Sequence, residues 1–264
     1  MTFVNRLNSI CIVVTVCVAQ VVTAGDEPNV RLLICGGGAM PERVYAKFRE
    51  MSGERPQLVV IPTASDRRPD VAAISTLWKS RGFDAVSVLH ATGRNLTEED
   101  VAFKALTNAD AVWFGGGSQQ RIADAYLGTA VECELYRLKR RGVVIGGTSA
   151  GAAIQSRTMI SGGKKTAVIS TGFDLLPGAI IDQHFLKRNR VARLMGAIRM
   201  KPQLTGFGID EGTALAVRDG VAHVIGRSFV LQVRMQDNKT EIEVFEEGDK
   251  ILLPDVSETA GAEE

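Results

Sequence analysis

Val143-Val144-Ile145-Gly146-Gly147-Thr148-Ser149-Ala150-Gly151-Ala152-Ala153 passes from an apolar strand directly into glycines, one serine and small helix formers. In a G-x-S-x-G turn the residues flanking the serine must be small so that strand and helix can come close, which forces the hydroxyl outward at the top of a sheet. The helix that begins there brings free backbone N–H groups and its positive dipole end to the place where an oxyanion would form. Ser149 therefore reads as a nucleophile, and the stretch as a strand-to-helix corner of an α/β protein. The plain alternative is a glycine-rich turn with a capping serine.

Outward from this corner, apolar runs of strand length recur at residues 30–35, 58–61, 85–89, 111–114 and 143–145. Helix-like patterns at 41–51, 69–81 and 97–106 separate them, the last opening with Thr97-Glu98-Glu99-Asp100 as a threonine cap followed by first-turn acids. Strands alternating with helices predict an α/β fold: a mostly parallel sheet, helices on both faces and right-handed crossovers. The active site then belongs at the C-terminal ends of the strands. After Arg218 short β pieces at 222–225, 229–233 and 241–245 follow one at 213–217, with Asp219-Gly220 and Asp237-Asn238 as turns, and predict a C-terminal antiparallel β extension. With no repeat, linker or second boundary, residues 25–256 read as one domain and 257–264 as a frayed tail.

Residues 1–24 read as a secretory signal: one arginine, an apolar run over 10–22, and Val22-Thr23-Ala24 before a polar stretch. The run is shorter than the roughly 20 residues of a spanning helix, so the expectation is an exported, periplasmic or extracellular chain without stable membrane insertion. Beyond the signal only Cys35 and Cys133 remain, which excludes a disulfide scaffold. Apolar residues make up 45% of the chain, enough for one large core. A net charge of +1 gives no reason to expect nucleic acid as a partner.

Two more glycine corners follow apolar strands. Gly36-Gly37-Gly38 fails as a dinucleotide fingerprint because Pro41 stands where G-x-G-x-x-G needs its third glycine, so no nucleotide cofactor is expected. Gly115-Gly116-Gly117 ends a strand expected beside that of Ser149, where the N–H groups of Gly116 and Gly117 are placed to complete an oxyanion hole with Ala150, the alternative being a plain tight turn. His184, between an apolar strand and a basic helix start, is the preferred general base; His90 and His223 stand singly in strand patterns. No H-E-x-x-H or paired-cysteine motif accompanies them, so no metal is expected. Arg188, Arg190 and Arg193 cluster within about one helical turn and suit carboxylates bound in forks, the alternative being a solvated basic face. Asp210 and Glu211 end another apolar strand, and either can orient His184 or bind a substrate cation.

FGGGSQQ (114–120), GGTSAGAA (146–153), IDQHFLKRNRVARL (181–194) and GFGIDEGTAL (206–215) together resemble cyanophycinases and the wider group of serine peptidases that includes aspartyl dipeptidases, peptidase family S51. The order Ser149, His184, Glu211 also argues against the α/β-hydrolases, whose acid precedes the histidine. The resemblance implies a fold like that of class I glutamine amidotransferases, with serine in place of the nucleophilic cysteine. It implies Ser149 as nucleophile, His184 as base and Glu211 as the acid, and assigns Gln119, Asp182, Gln183, Arg188, Arg190 and Arg193 to binding cyanophycin, a polyaspartate bearing arginine on each β-carboxyl group. The arginines then meet carboxylates, and Asp182 or Glu211 the substrate's arginine. Relatives often carry the triad acid between serine and histidine, where this chain has only Asp174 and Asp182, so Asp174 stands as an alternative to Glu211. The implied activity is exopeptidase release of β-aspartyl-arginine without a cofactor. An α-aspartyl dipeptidase and a non-catalytic binding protein are the alternatives, and a homodimer is an open assembly.

Overall fold

The computed structural model describes residues 30–253 apart from Asn95 and Glu98. The expected leader and tail lie outside the described residues. Fourteen strands and seven helices follow one another among them. The first half runs β1 (Arg31–Cys35), α1 (Glu42–Met51), β2 (Gln57–Ile61), α2 (Val71–Lys79), β3 (Ala85–Val88), α3 (Val101–Thr107), β4 (Ala111–Phe114), α4 (Gln119–Tyr126), α5 (Ala130–Arg140), β5 (Val144–Thr148) and α6 (Ala150–Ala153). The second runs β6 (Thr158–Gly162), β7 (Val168–Thr171), β8 (Ala179–Gln183), α7 (Val191–Met200), β9 (Thr205–Ile209), β10 (Thr213–Arg218), β11 (Val221–Gly226), β12 (Val230–Gln236), β13 (Lys239–Phe245) and β14 (Lys250–Leu252).

The larger sheet has the order β14-β11-β10-β1-β5-β4-β2-β3. Its five strands from β1 to β3 are parallel, as the alternation of strands and helices predicts. Both faces of β1, β2 and β4 are covered, which is why these strands read as unbroken apolar runs rather than as alternating ones, while β3 at the sheet edge is partly exposed. Leu32, Ile34, Val59, Ile61, Val112 and Phe114 enter one core. Their neighbours Leu33, Cys35, Leu58, Val60, Ala111 and Trp113 enter another on the opposite face. There Tyr45, Phe48, Trp78, Phe83 and Trp113 form a ring cluster with centroids 4.9–5.8 Å apart, mostly edge to face.

The antiparallel extension is present but divided. Strands β10, β11 and β14 extend the large sheet from its β1 edge. Strands β12 and β13 instead join β9 and β8 in a second sheet of order β13-β12-β9-β8. Its β8 and β9 are parallel, linked by α7. The helix expected from Thr97 begins only at Val101; ahead of it the Asp100 carboxylate accepts from the Thr97 N–H (2.7 Å) and hydroxyl (3.1 Å). No described helix is long and apolar enough to cross a membrane.

Candidate active site

The ends of β1, β5, β8 and β9 converge on one place. Ser149 follows β5 with φ 53° and ψ −107°, a conformation costly for a residue with a side chain, and α6 starts at the next residue. The turn is this tight because Gly147 lies against the Gly151 carbonyl and Gly151 against the Phe114 carbonyl; a methyl group at either would collide with backbone. Small residues around the serine are thus a packing requirement that the sequence displays directly.

His184 follows β8 and also has a positive φ, 50°. Its Nε2 lies 2.9 Å from Ser149 Oγ, and its Nδ1 lies 2.6 Å from Glu211 Oε1. A carboxylate only accepts, so Nδ1 carries the proton and Nε2 is left to accept from the serine hydroxyl. Burial pushes the His184 pKa below its ordinary 6.5, and the charge of Arg188 adds to this; the hydrogen bond and charge of Glu211 oppose both. The imidazole is accordingly neutral at pH 7, the form a general base needs.

The two adjacent acids separate cleanly. Glu211 reaches His184, whereas Asp210 accepts from the Lys187 N–H at 2.9 Å and the Ser228 hydroxyl at 2.8 Å. Burial raises the Asp210 pKa, but these donors and the neighbouring backbone N–H groups outweigh it and hold the carboxyl below its usual value. Asp174 lies elsewhere, 4.0 Å from Arg157; burial raises the Tyr136 pKa, with the charges of Glu132 and Asp174 adding to it, and burial lowers that of Lys139 against the charge of Asp174. Glu211, not Asp174, therefore stands on His184.

Gly116 abuts Ser149: a methyl on its Cα would stand 3.6 Å from Ser149 Cβ. The N–H of Gly115 is taken by Ile61 O at 3.0 Å, while those of Gly116 and Gly117 meet no backbone acceptor among the described residues. Ala150, first in its helix, has an N–H with no intrahelical partner.

The residues expected to read substrate do not form one open patch. Arg188 is exposed and Arg190 half-buried, but Arg193 is 3% exposed and Asp182 1%. Arg193 Nε donates to Asp182 Oδ2 at 2.9 Å, its second nitrogen bonds Asp182 Oδ1, and its third reaches Gly163 O. Arg190 binds the same carboxylate at 3.3 Å and the Gln183 main-chain and side-chain oxygens at 2.6 and 2.9 Å. Gln119 is buried too, its amide nitrogen donating to Ile160 O at 2.7 Å. Asp182 and Glu211, either of them expected to meet the substrate's arginine, are both occupied within the protein; for Asp182 this follows from its burial, since a buried carboxylate is tolerable only when paired. Sequence reasoning also missed the corner 36–38, which lies against His184 and Glu211. Its three glycines were the available signal. Among the described residues no group of three or more histidine, cysteine and acidic side chains is placed to hold a metal ion.

A sheet covered on both faces, with an outward serine bonded to a histidine and that histidine to a carboxylate, defines a serine-type hydrolase. The family model described as Peptidase family S51 matches residues 32–225. The chain belongs to this family and is a serine-type peptidase. It is 33% identical over 217 residues to the cyanophycinase of Trichormus variabilis, an alignment covering 75% of this chain and 72% of that one. With the cyanophycinase of Synechococcus elongatus the identity is 35% over 225 residues, covering 78% and 69%. The crystal structure of a peptidase from an acI-B1 actinobacterium superposes with a TM-score of 0.66 at 21% identity, over 85% of this chain and 97% of that one, and so shares the fold.

Proposed function

We propose that the chain is a cyanophycinase-like serine exopeptidase that releases β-aspartyl-arginine dipeptides from cyanophycin. The single observation that carries the catalytic reading is the hydrogen-bonded chain Ser149–His184–Glu211. In this reading Ser149 Oγ attacks the scissile carbonyl while His184 Nε2 takes its proton. The resulting oxyanion rests on the N–H groups of Gly116, Gly117 and Ala150, and His184 returns the proton to the leaving amine. Water activated by the same imidazole then releases the acyl group. Glu211 holds the imidazole in the Nδ1–H tautomer and stabilises it when charged. No step calls for a cofactor.

The substrate rests on the cyanophycinase relatives and on the arginines beside the base, of which Arg188 is exposed to solvent. Incubation with purified insoluble cyanophycin, followed by mass analysis of the soluble products, tests it. The dipeptide should appear with the native enzyme and not with Ser149→Ala; an untouched polymer beside an enzyme that a fluorophosphonate labels would sink the substrate claim. The pairing of Asp182 and Glu211 within the protein favours a second reading, an α-aspartyl dipeptidase, since neither acid is free for a substrate guanidinium. Turnover of short Asp-Xaa dipeptides with no action on the polymer would select that reading. Export is also proposed, with cleavage after Ala24; N-terminal sequencing of protein recovered from the cell envelope and medium checks it.

A further inference from the structure

Three consecutive residues, Cys35 ending β1 and Gly36 and Gly37 after it, hold through their carbonyls the N–H groups of Ser149, of His184 and of the residue that follows Glu211. Cys35 O accepts from the Ser149 N–H at 3.0 Å, Gly36 O from the His184 N–H at 2.6 Å, and Gly37 O from the N–H of Gly212, the residue after Glu211, at 2.9 Å. The corner also presses on the side chains. A methyl group on Gly37, whose φ is +97°, would stand 2.5 Å from both Cε1 and Nε2 of His184; one on Gly38, at φ +71°, would stand 2.7 Å from Glu211 Oε2. Ser149 belongs to the large sheet, His184 follows β8 of the second sheet, and Glu211 lies in the link between them. The triad's own hydrogen bonds join these three segments only through side chains, whereas the corner joins their backbones.

We propose that residues 35–37 form a positioning template that sets the register of nucleophile, base and acid, with Gly37 and Gly38 as the residues that leave room for the imidazole and the carboxylate. This rests on the triad reading above. The backbone carbonyls hold the three peptide units by main-chain hydrogen bonds. The missing side chains let the imidazole lie flat against the corner within reach of Ser149. A side chain at Gly37 must displace His184, and with it the 2.9 Å contact to the serine. At Gly38 it must displace Glu211.

The test separates this from the ordinary cost of a side chain at positive φ. Gly248 has the same φ as Gly37, +97°, and Gly53 has +91°, yet an added methyl meets nothing within 4 Å at either. Gly37→Ala should lose about 100-fold or more in kcat and in fluorophosphonate labelling, as displaced reacting groups do, with KM little changed. Gly248→Ala and Gly53→Ala, which carry only the cost of a side chain at positive φ, should melt below native and keep native rates. Gly38→Ala should shift the acid limb of the kcat/KM profile downward, because Glu211 no longer raises the His184 pKa. If the native enzyme resists the probe, the triad reading itself fails and the template falls with it. If the native enzyme is labelled and Gly37→Ala is labelled equally fast, the template alone is overturned. Should Gly37→Ala not fold, Gly38→Ala decides, and a native pH profile for it rejects the proposal.

Discussion

At the scale of single residues, His184 is tuned by opposing neighbours. Burial and the Arg188 charge lower its pKa below 6.5, and Glu211 pulls it up. A lowered pKa keeps the base neutral further into acid, so the acid limb of kcat/KM should fall below pH 6.5. Arg188→Ala removes one lowering charge and should move that limb upward; a limb that stays in place in a pH–rate series would contradict this placement. Glu211→Gln keeps the size of the side chain but also permits the wrong imidazole tautomer. By analogy with carboxylate-to-amide changes in Ser-His-Asp hydrolases it should cost on the order of 10⁴-fold in kcat, read by turnover or by probe labelling. Sequence alone left the acid open among Asp174, Asp210 and Glu211, and the reason is geometric. Adjacent residues at the end of a strand point to different sides, so Asp210 turns to Lys187 and Ser228 while Glu211 turns to the base. Ser149 was legible because its constraint is steric and local; the role of Gly36-Gly37-Gly38 was not, because what it accommodates lies about 150 residues further along the chain.

At the scale of elements, β8 and α7 are joined by the Asp182–Arg193 pair, with Arg190 closing the network onto Gln183. Burial pushes the Asp182 carboxyl up, and the Arg193 and Arg190 guanidiniums pull it back toward the ionised form. Removing one partner leaves a buried charge without its counter-ion. Asp182→Ala should therefore destabilise the protein by about 3–5 kcal/mol, whereas replacing both partners together, as Asp182→Leu with Arg193→Met, should cost far less. Thermal melts of the single and double variants decide between this and direct substrate reading. A substrate contact predicts instead a raised KM and an unchanged melt for Asp182→Ala. The run of arginines showed in the sequence as a pattern of charge, but which of them face solvent depends on α7 lying against β9 and β12, a long-range contact that spacing does not encode. Turn chemistry was more readable. Asp219-Gly220 and Asp237-Asn238 all have positive φ and join β10 to β11 and β12 to β13, as their residue types require.

At the scale of the molecule, the candidate site lies where two sheets meet, so it exists only while both are docked. The parallel order of the large sheet was legible because its strands are buried on both faces and separated by helical spans. The second sheet was not, because β8 finds β9 only across α7, and β12 leaves its sequence neighbour β11 to pair with β9. This division gives the molecule two separable reporters. Both tryptophans of the chain, Trp78 and Trp113, sit in the ring cluster on the large sheet and report its packing by fluorescence. Activity reports the second sheet as well, since the proposed mechanism requires His184. Ile198 of α7 is fully buried in the small core formed with Ile180, Leu194 and Val233, away from the ring cluster. Ile198→Ala should cost about 2–5 kcal/mol by emptying that core, and the loss falls on the sheet that carries the base. In a urea titration of this variant, activity should vanish at a lower concentration than the tryptophan signal changes. Coincident transitions would instead mean that the two sheets unfold as one cooperative unit, with the candidate triad held as firmly as the large sheet itself.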